Sequence, residues 1–125
     1  MVVITDKQVG LISSGGKHKK SYSFDGQTLL CFDIKNASKP VLALDDKESA
    51  GSKVVVLNSS LKEHGSCTLE GQAKMIDEND GDTVVSNGDK IYLIGSAGGL
   101  KAQGQLNKEA ENIKFSDDKK HIFTL

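Results

Sequence analysis

Histidine and cysteine are the scarcest reactive side chains in this sequence, and one spacing among them suggests metal chemistry. His64-Gly65-Ser66-Cys67 leaves two residues between imidazole and thiol. That gap lets both side chains reach one ion, and imidazole with soft sulfur suits zinc. His18 and His121, one from each end of the chain, would complete a four-ligand tetrahedral set. A single His-x-x-Cys is a weak signal, so independent surface histidines are the favoured reading and zinc on His18, His64, Cys67 and His121 is the alternative. No other cofactor is implied.

Other chemistries find less. The serines cluster in Ser-Ser pairs and none sits in a Gly-x-Ser-x-Gly elbow, so acyl-transfer chemistry by that route has no support. Cys31 lies among Leu29, Leu30 and Phe32, where a thiol serves as a small core residue. The acidic stretch Asp77-Glu78-Asn79-Asp80-Gly81-Asp82 invites comparison with a calcium loop, which needs Gly at its sixth position and a closing Glu. Counted from Asp77, the sixth position is Asp82 and no Glu closes the loop, so a solvated hairpin turn is expected. Gly95-Ser96-Ala97-Gly98-Gly99 lacks the Gly-Lys-Ser/Thr ending of a phosphate loop and reads as a turn. Lys17-His18-Lys19-Lys20 is a basic knot whose expected role is a solvated loop. No catalytic residue is assigned, and no small-molecule substrate is expected.

Composition narrows the partners. Sixteen basic residues, all lysine, face seventeen acidic ones for a net charge of −1. That balance gives no electrostatic footprint for nucleic acid. The lack of arginine removes the fork that holds phosphate in two-point contact. Cys31 and Cys67 do not make the dense framework of a small secreted domain, although one disulfide between them stays open. Neither a basic lead with an apolar run nor a membrane span is visible, so the expected product is soluble and made in the cytoplasm.

The elements that must position these groups are short strands. Tyr22 and Phe24 alternate with serines, Thr28–Ile34 is the most apolar run and reads as a core strand, and Val54–Leu57 is a β-branched block. Asp25-Gly26 reads as a two-residue hairpin turn, and Asn87–Lys90 as the turn between Val84-Val85 and Ile91–Ile94. Pro40 suits a strand's first position, and a helical turn is expected only at Asn107–Glu111. A two-part refrain orders these strands. Asp-Lys steps at Asp6, Asp46, Asp89 and Asp118 alternate strictly with Gly-Gln steps at Gly26, Gly71 and Gly104. The reading is one all-β domain over residues 1–125, with about ten strands in three degenerate repeats. Gly26, Gly71 and Gly104 are expected at matching hairpin positions.

Thr5-Asp6-Lys7, Phe24-Asp25-Gly26-Gln27, the run from Asp45 to Val54, Leu69-Glu70-Gly71-Gln72 and Gly88-Asp89-Lys90 together resemble the PAAR-repeat family of small β spikes. The Pro-Ala-Ala-Arg run is missing, and the His-Gly-Gly element appears as Ala50-Gly51-Ser52. The resemblance implies a tapered three-sided β structure. It also implies a non-catalytic tip or adaptor on the trimeric spike of a type VI secretion or phage-like contractile tail, exported with that apparatus and sometimes stiffened by zinc. The rival reading is a β-trefoil that binds carbohydrate or protein. Against it stand Asp-Lys intervals of 40, 43 and 29 residues and the absence of Trp.

Overall fold

The computed structural model describes residues 2–5, 7–12, 18–36, 38–46, 51–106, 113–115 and 122–124. Among them the chain forms thirteen strands and no helix: β1 (Val2–Ile4), β2 (Gln8–Ile12), β3 (His18–Ser23), β4 (Leu29–Asp33), β5 (Val41–Asp46), β6 (Gly51–Leu57), β7 (Glu63–Glu70), β8 (Met75–Asn79), β9 (Asp82–Ser86), β10 (Lys90–Ile94), β11 (Leu100–Gln105), β12 (Ile113–Phe115) and β13 (Ile122–Thr124). The expected helical turn at Asn107–Glu111 falls outside the described residues. The all-β expectation holds.

Every strand pairs antiparallel with its neighbour in sequence. The result is two four-stranded meanders, β4-β5-β6-β7 and β8-β9-β10-β11, flanked by a three-stranded sheet β1-β2-β3 and a hairpin β12-β13. The repeating unit is therefore a four-stranded sheet. This corrects the β-trefoil alternative and refines the one-unit-per-Gly-Gln reading. Sheets this small bury an apolar face only by stacking.

The two middle strands of the β4–β7 sheet, β5 and β6, are buried on both faces. Val41 and Ala43 of β5 join Val54, Val56, Leu69, Val85, Tyr92 and Ile94 in a core against the β8–β11 sheet. The alternate residues Leu42 and Leu44 point the other way, into a second core with Val9, Phe24, Val55, Leu57 and Leu61. Two-sided burial explains why β5 and β6 read as unbroken apolar runs instead of alternating ones. Pro40 precedes β5, as its missing N–H requires.

Two expectations need correction. Thr28–Ile34, expected as a core strand, packs on the cores only through half-buried Leu29, Leu30 and Cys31. Its β4 is the edge of its sheet, mostly half-buried, with Phe32 43% exposed. Asp25-Gly26 has the positive φ values of a tight turn, 52° and 81°, but it carries the chain from β3 to β4, which lie in different sheets. The Asp80-Gly81 turn, with φ of 51° and 94°, does close a hairpin, β8-β9, as its sequence suggests.

Candidate functional site

In a meander each strand reverses the chain, so all connections from an odd strand to the next even strand lie at one end of the sheets. The refrain marks those connections. Asp-Lys steps fall between β1 and β2, β5 and β6, and β9 and β10, while Gly-Gln steps fall after β3 and β7 and at the end of β11. One rim of the molecule thus gathers both motifs. Asp6 and the Asp118-Lys119 step lie outside the described residues.

Hydrogen bonds tie the two kinds of turn together. The Phe24 N–H donates to the Lys7 carbonyl at 3.0 Å and the Asp45 N–H to the Thr28 carbonyl at 2.8 Å. At the next step Asn87 Nδ2 donates to the Glu70 carbonyl at 2.9 Å, and Lys90 Nζ lies 3.3 Å from Glu70 Oε2. The Leu106 N–H closes the series on the Asp89 carbonyl at 2.6 Å. Beneath the row lies Ser52, which is fully buried. Its hydroxyl donates to the Gly71 carbonyl at 2.6 Å and accepts from the Ala73 N–H at 2.7 Å, locking the crossover between two sheets.

Above this scaffold the rim presents exposed polar groups: Lys7, Asp25, Glu70, Gln72 and Asp89. Gly26 and Gly71 hold matching positions there, with φ of 81° and 70°, each just past the last strand of a sheet. Gly104 does not match them. It lies inside β11 opposite Ile91, without a positive φ, so the third Gly-Gln marks the end of a strand instead of a turn. Asp46 ends β5 and Asp89 sits in the β9–β10 turn.

The opposite end carries a charged clasp. Asp33, Asp77 and Glu78 are buried, and they sit where β4 and β8 end side by side. Lys35 Nζ lies 2.6 Å from Asp77 Oδ1 and 3.2 Å from Asp33 Oδ2. Asp33 also accepts the Glu78 N–H at 2.8 Å and the Lys35 N–H at 3.0 Å, and Glu78 Oε2 accepts the Gly81 N–H at 3.1 Å. The hydrogen bond to Asp77, outweighing partial burial, raises the Lys35 pKa. The expected solvated acidic turn is thus partly an internal tie between sheets, with its oxygens used by the Gly81 N–H, the Asn36 side-chain amide, and the lysines Lys35 and Lys101.

The proposed zinc ligands are not brought together where they can be followed. On β7, Cys67 packs against the core shared with the β8–β11 sheet, while His64 is exposed. The register of β7 against β6 shifts at His64, which is left without a cross-strand partner between Glu63 and Gly65. The backbone of His18 lies in β3, and His121 falls outside the described residues. Among the described residues no three His, Cys, Asp or Glu side chains gather as metal ligands.

The thiols are poor nucleophiles. Burial pushes Cys31 up to about 12 and raises Cys67 as well. The two sit at the ends of one cross-strand row, Cys31–Ala43–Val54–Cys67, three strand spacings or about 14 Å apart, which rules out a disulfide between them. No helix of the described residues is long and apolar enough to cross a membrane.

Neither a family model nor a curated protein matches the chain. Solved structures do. A Bacteroides caccae protein of unknown function superposes with a TM-score of 0.57 at 15% identity, over 91% of this chain and 44% of its own. The WD40 domain of Neurospora crassa Pan2 superposes with a TM-score of 0.58 at 13% identity, over 98% of this chain and 42% of its own. The chain thus spans less than half the length of either, and the likeness is one of fold: stacked four-stranded meanders, as in part of a propeller.

Proposed function

We propose that this chain is a non-catalytic adaptor that docks on a larger protein through the turn-bearing rim. The observation that carries the reading is the gathering of both refrain motifs at one end, fixed by backbone hydrogen bonds from Lys7 through Asp89 and by the buried Ser52. A surface so held loses little conformational freedom on binding, which is the main way a modest polar interface gains affinity. Its mixture of Lys7, Lys90, Asp25, Glu70 and Asp89 favours a partner with alternating charges over a nucleic acid. The PAAR-like motifs make a trimeric contractile-tail spike the first partner to try, with one copy of this chain per trimer.

The test mixes the protein with spike proteins from the same genome and measures complex mass. Asp89→Lys with Gln72→Ala, both on exposed rim residues, is expected to abolish the complex, while Lys62→Ala and Ser96→Ala at the other end leave it intact. Loss of binding from the Lys62 and Ser96 changes, with the rim variants unaffected, overturns the reading.

A further inference from the structure

Three aspartate or asparagine residues stand immediately before a glycine: Asp25-Gly26, Asp80-Gly81 and Asn87-Gly88. At such a step the chain can react with itself, because a glycine nitrogen has no neighbouring Cβ to hinder its attack on the preceding side-chain carbonyl carbon. The attack needs a glycine N–H that is not held and a side chain free to swing onto it. By chemistry alone Asn87 reacts first, since ammonia leaves an amide more readily than water leaves a carboxylate.

The fold withholds both freedoms at Asn87. Its Nδ2 donates to the Glu70 carbonyl at 2.9 Å, its Oδ1 accepts the Lys90 N–H at 3.1 Å, and the N–H of buried Gly88 donates to Ser86 Oγ at 3.0 Å. At Asp80 the N–H of buried Gly81 is held by Glu78 Oε2 at 3.1 Å. Asp25-Gly26 differs, and both its residues are exposed. The turn is closed by the Gln27 N–H on the Phe24 carbonyl at 2.9 Å, which leaves the Gly26 N–H outside that bond. Among the described residues neither that N–H nor the Asp25 carboxylate has a hydrogen-bond partner. Nothing lies within 4 Å of a Cβ built on Gly26, so the peptide has room to turn. Asp25 itself sits at φ 52°, a left-handed conformation that strains a residue with a Cβ.

We propose that Asp25 is a self-modification site that converts to isoaspartate in the folded protein, and that folding redirects this chemistry away from Asn87. The Gly26 nitrogen bonds to Asp25 Cγ, and one carboxyl oxygen leaves as water with the amide proton and a proton from solvent. Water then opens the resulting imide at the Asp25 main-chain carbonyl carbon, breaking its bond to nitrogen and returning one proton to solvent. The chain afterwards runs through Cγ, the carboxylate stands on Cα, and the mass is unchanged. The added methylene lengthens the turn and removes the strain of the left-handed residue.

This chemistry needs no partner, so it stands apart from the rim reading. The folded protein is held at neutral pH and body temperature for several weeks and digested, and isoaspartate is located by peptide mapping with isoaspartyl methyltransferase labelling. Position 25 is expected to exceed positions 80 and 87 roughly tenfold or more, because one hydrogen bond that need not break corresponds to about tenfold in rate. Asp25→Asn then compares like with like, and asparagine accepts the left-handed turn. In the folded variant the amide at position 25 should be lost roughly a hundredfold faster than that of Asn87, whose three hydrogen bonds must break first. In guanidinium the two rates should meet. Ser86→Ala, which releases the Gly88 N–H, should speed deamidation of Asn87 roughly tenfold. Isoaspartate absent from position 25, isoaspartate appearing first at 80 or 87, or equal rates for the two amides in folded Asp25→Asn each overturns the proposal.

Discussion

At Gly65 the two complete sheets approach backbone against backbone, which gives a graded test of the stacking. A Cβ added at Gly65 of β7 would lie 1.7 Å from the Ala97 carbonyl oxygen, in the turn between β10 and β11, and one added at Gly98 would lie 2.5 Å from the Gly65 carbonyl carbon. Neither neighbour is a flexible side chain that can swing aside. Relief requires the sheets to separate locally, which forfeits packing between Cys67, Leu69, Tyr92 and Ile94. Overpacking of this kind costs about 1–3 kcal/mol and occasionally more; with an oxygen this near and no side chain to yield, about 3 kcal/mol is expected for Gly65→Ala. Gly98→Ala adds about 1–2 kcal/mol for its left-handed backbone, φ +87°. Two controls separate the causes. Gly26 has φ +81° and nothing near its Cβ, so Gly26→Ala should cost only that backbone strain of about 1–2 kcal/mol. Gly99 has nothing near and no positive φ, so Gly99→Ala should fall within about 0.5 kcal/mol of the parent. Urea melts read at constant m-value give these differences directly. If Gly65→Ala melts with Gly99→Ala, the two sheets do not meet at this point and the stacking described here is wrong.

Ser52→Ala should cost about 1–3 kcal/mol, because it strands the buried Ala73 N–H, while the Gly71 carbonyl it also releases belongs to an exposed residue; a change below about 0.5 kcal/mol in a thermal melt would remove Ser52 as the lock. Buried Thr83 Oγ1 has no hydrogen-bond partner among the described residues, so Thr83→Val should raise stability by about 1 kcal/mol, and a lower melting temperature would show that the hydroxyl has a use. Raised folded-state pKa values contribute stability that is whole below the unfolded value and lost as pH rises. Cys31, raised to about 12, therefore predicts declining stability from about pH 9 upward, at no more than about 1.4 kcal/mol per pH unit. In Cys31→Ala that alkaline slope should be shallower, and an unchanged slope assigns it elsewhere. Because His64 is exposed while Cys67 packs on the core, chelator treatment should leave the melting temperature where it was, and a fall of several degrees would reinstate a structural metal.

The refrain was legible because it follows topology. Asp-Lys and Gly-Gln alternate since both mark strand ends at the same rim, and the intervals of 40 and 43 residues each span four strands, the period of one sheet. The interval of 29 breaks the series because Asp118 falls between β12 and β13, one hairpin earlier in its sheet than Asp46 and Asp89 in theirs. Side-chain alternation reveals which face of a strand is apolar, but not which strand stands at an edge. For that reason the most apolar run, Thr28–Ile34, read as a core strand although β4 is the half-buried edge of its sheet, and Asp25-Gly26 read as a hairpin although it joins two sheets. The burial of Asp77 was hidden for a similar reason: its partner Lys35 follows a strand more than forty residues earlier. Ser52 gave no signal at all, since one serine before a valine block resembles any other.

Pairing only between sequence neighbours has a kinetic consequence. Each hairpin can zip from its own turn, without waiting for a distant strand to arrive, so the loop-closure entropy that slows most β proteins is small here. The slow event moves to the docking of one finished sheet on the next, where Gly65 must settle against Ala97 and Val54 against the β8–β11 face. Nascent chain leaving the ribosome would meet that condition progressively, with each four-stranded sheet offering its template to the one behind it, and the register of the whole stack being inherited from the first crossover to set.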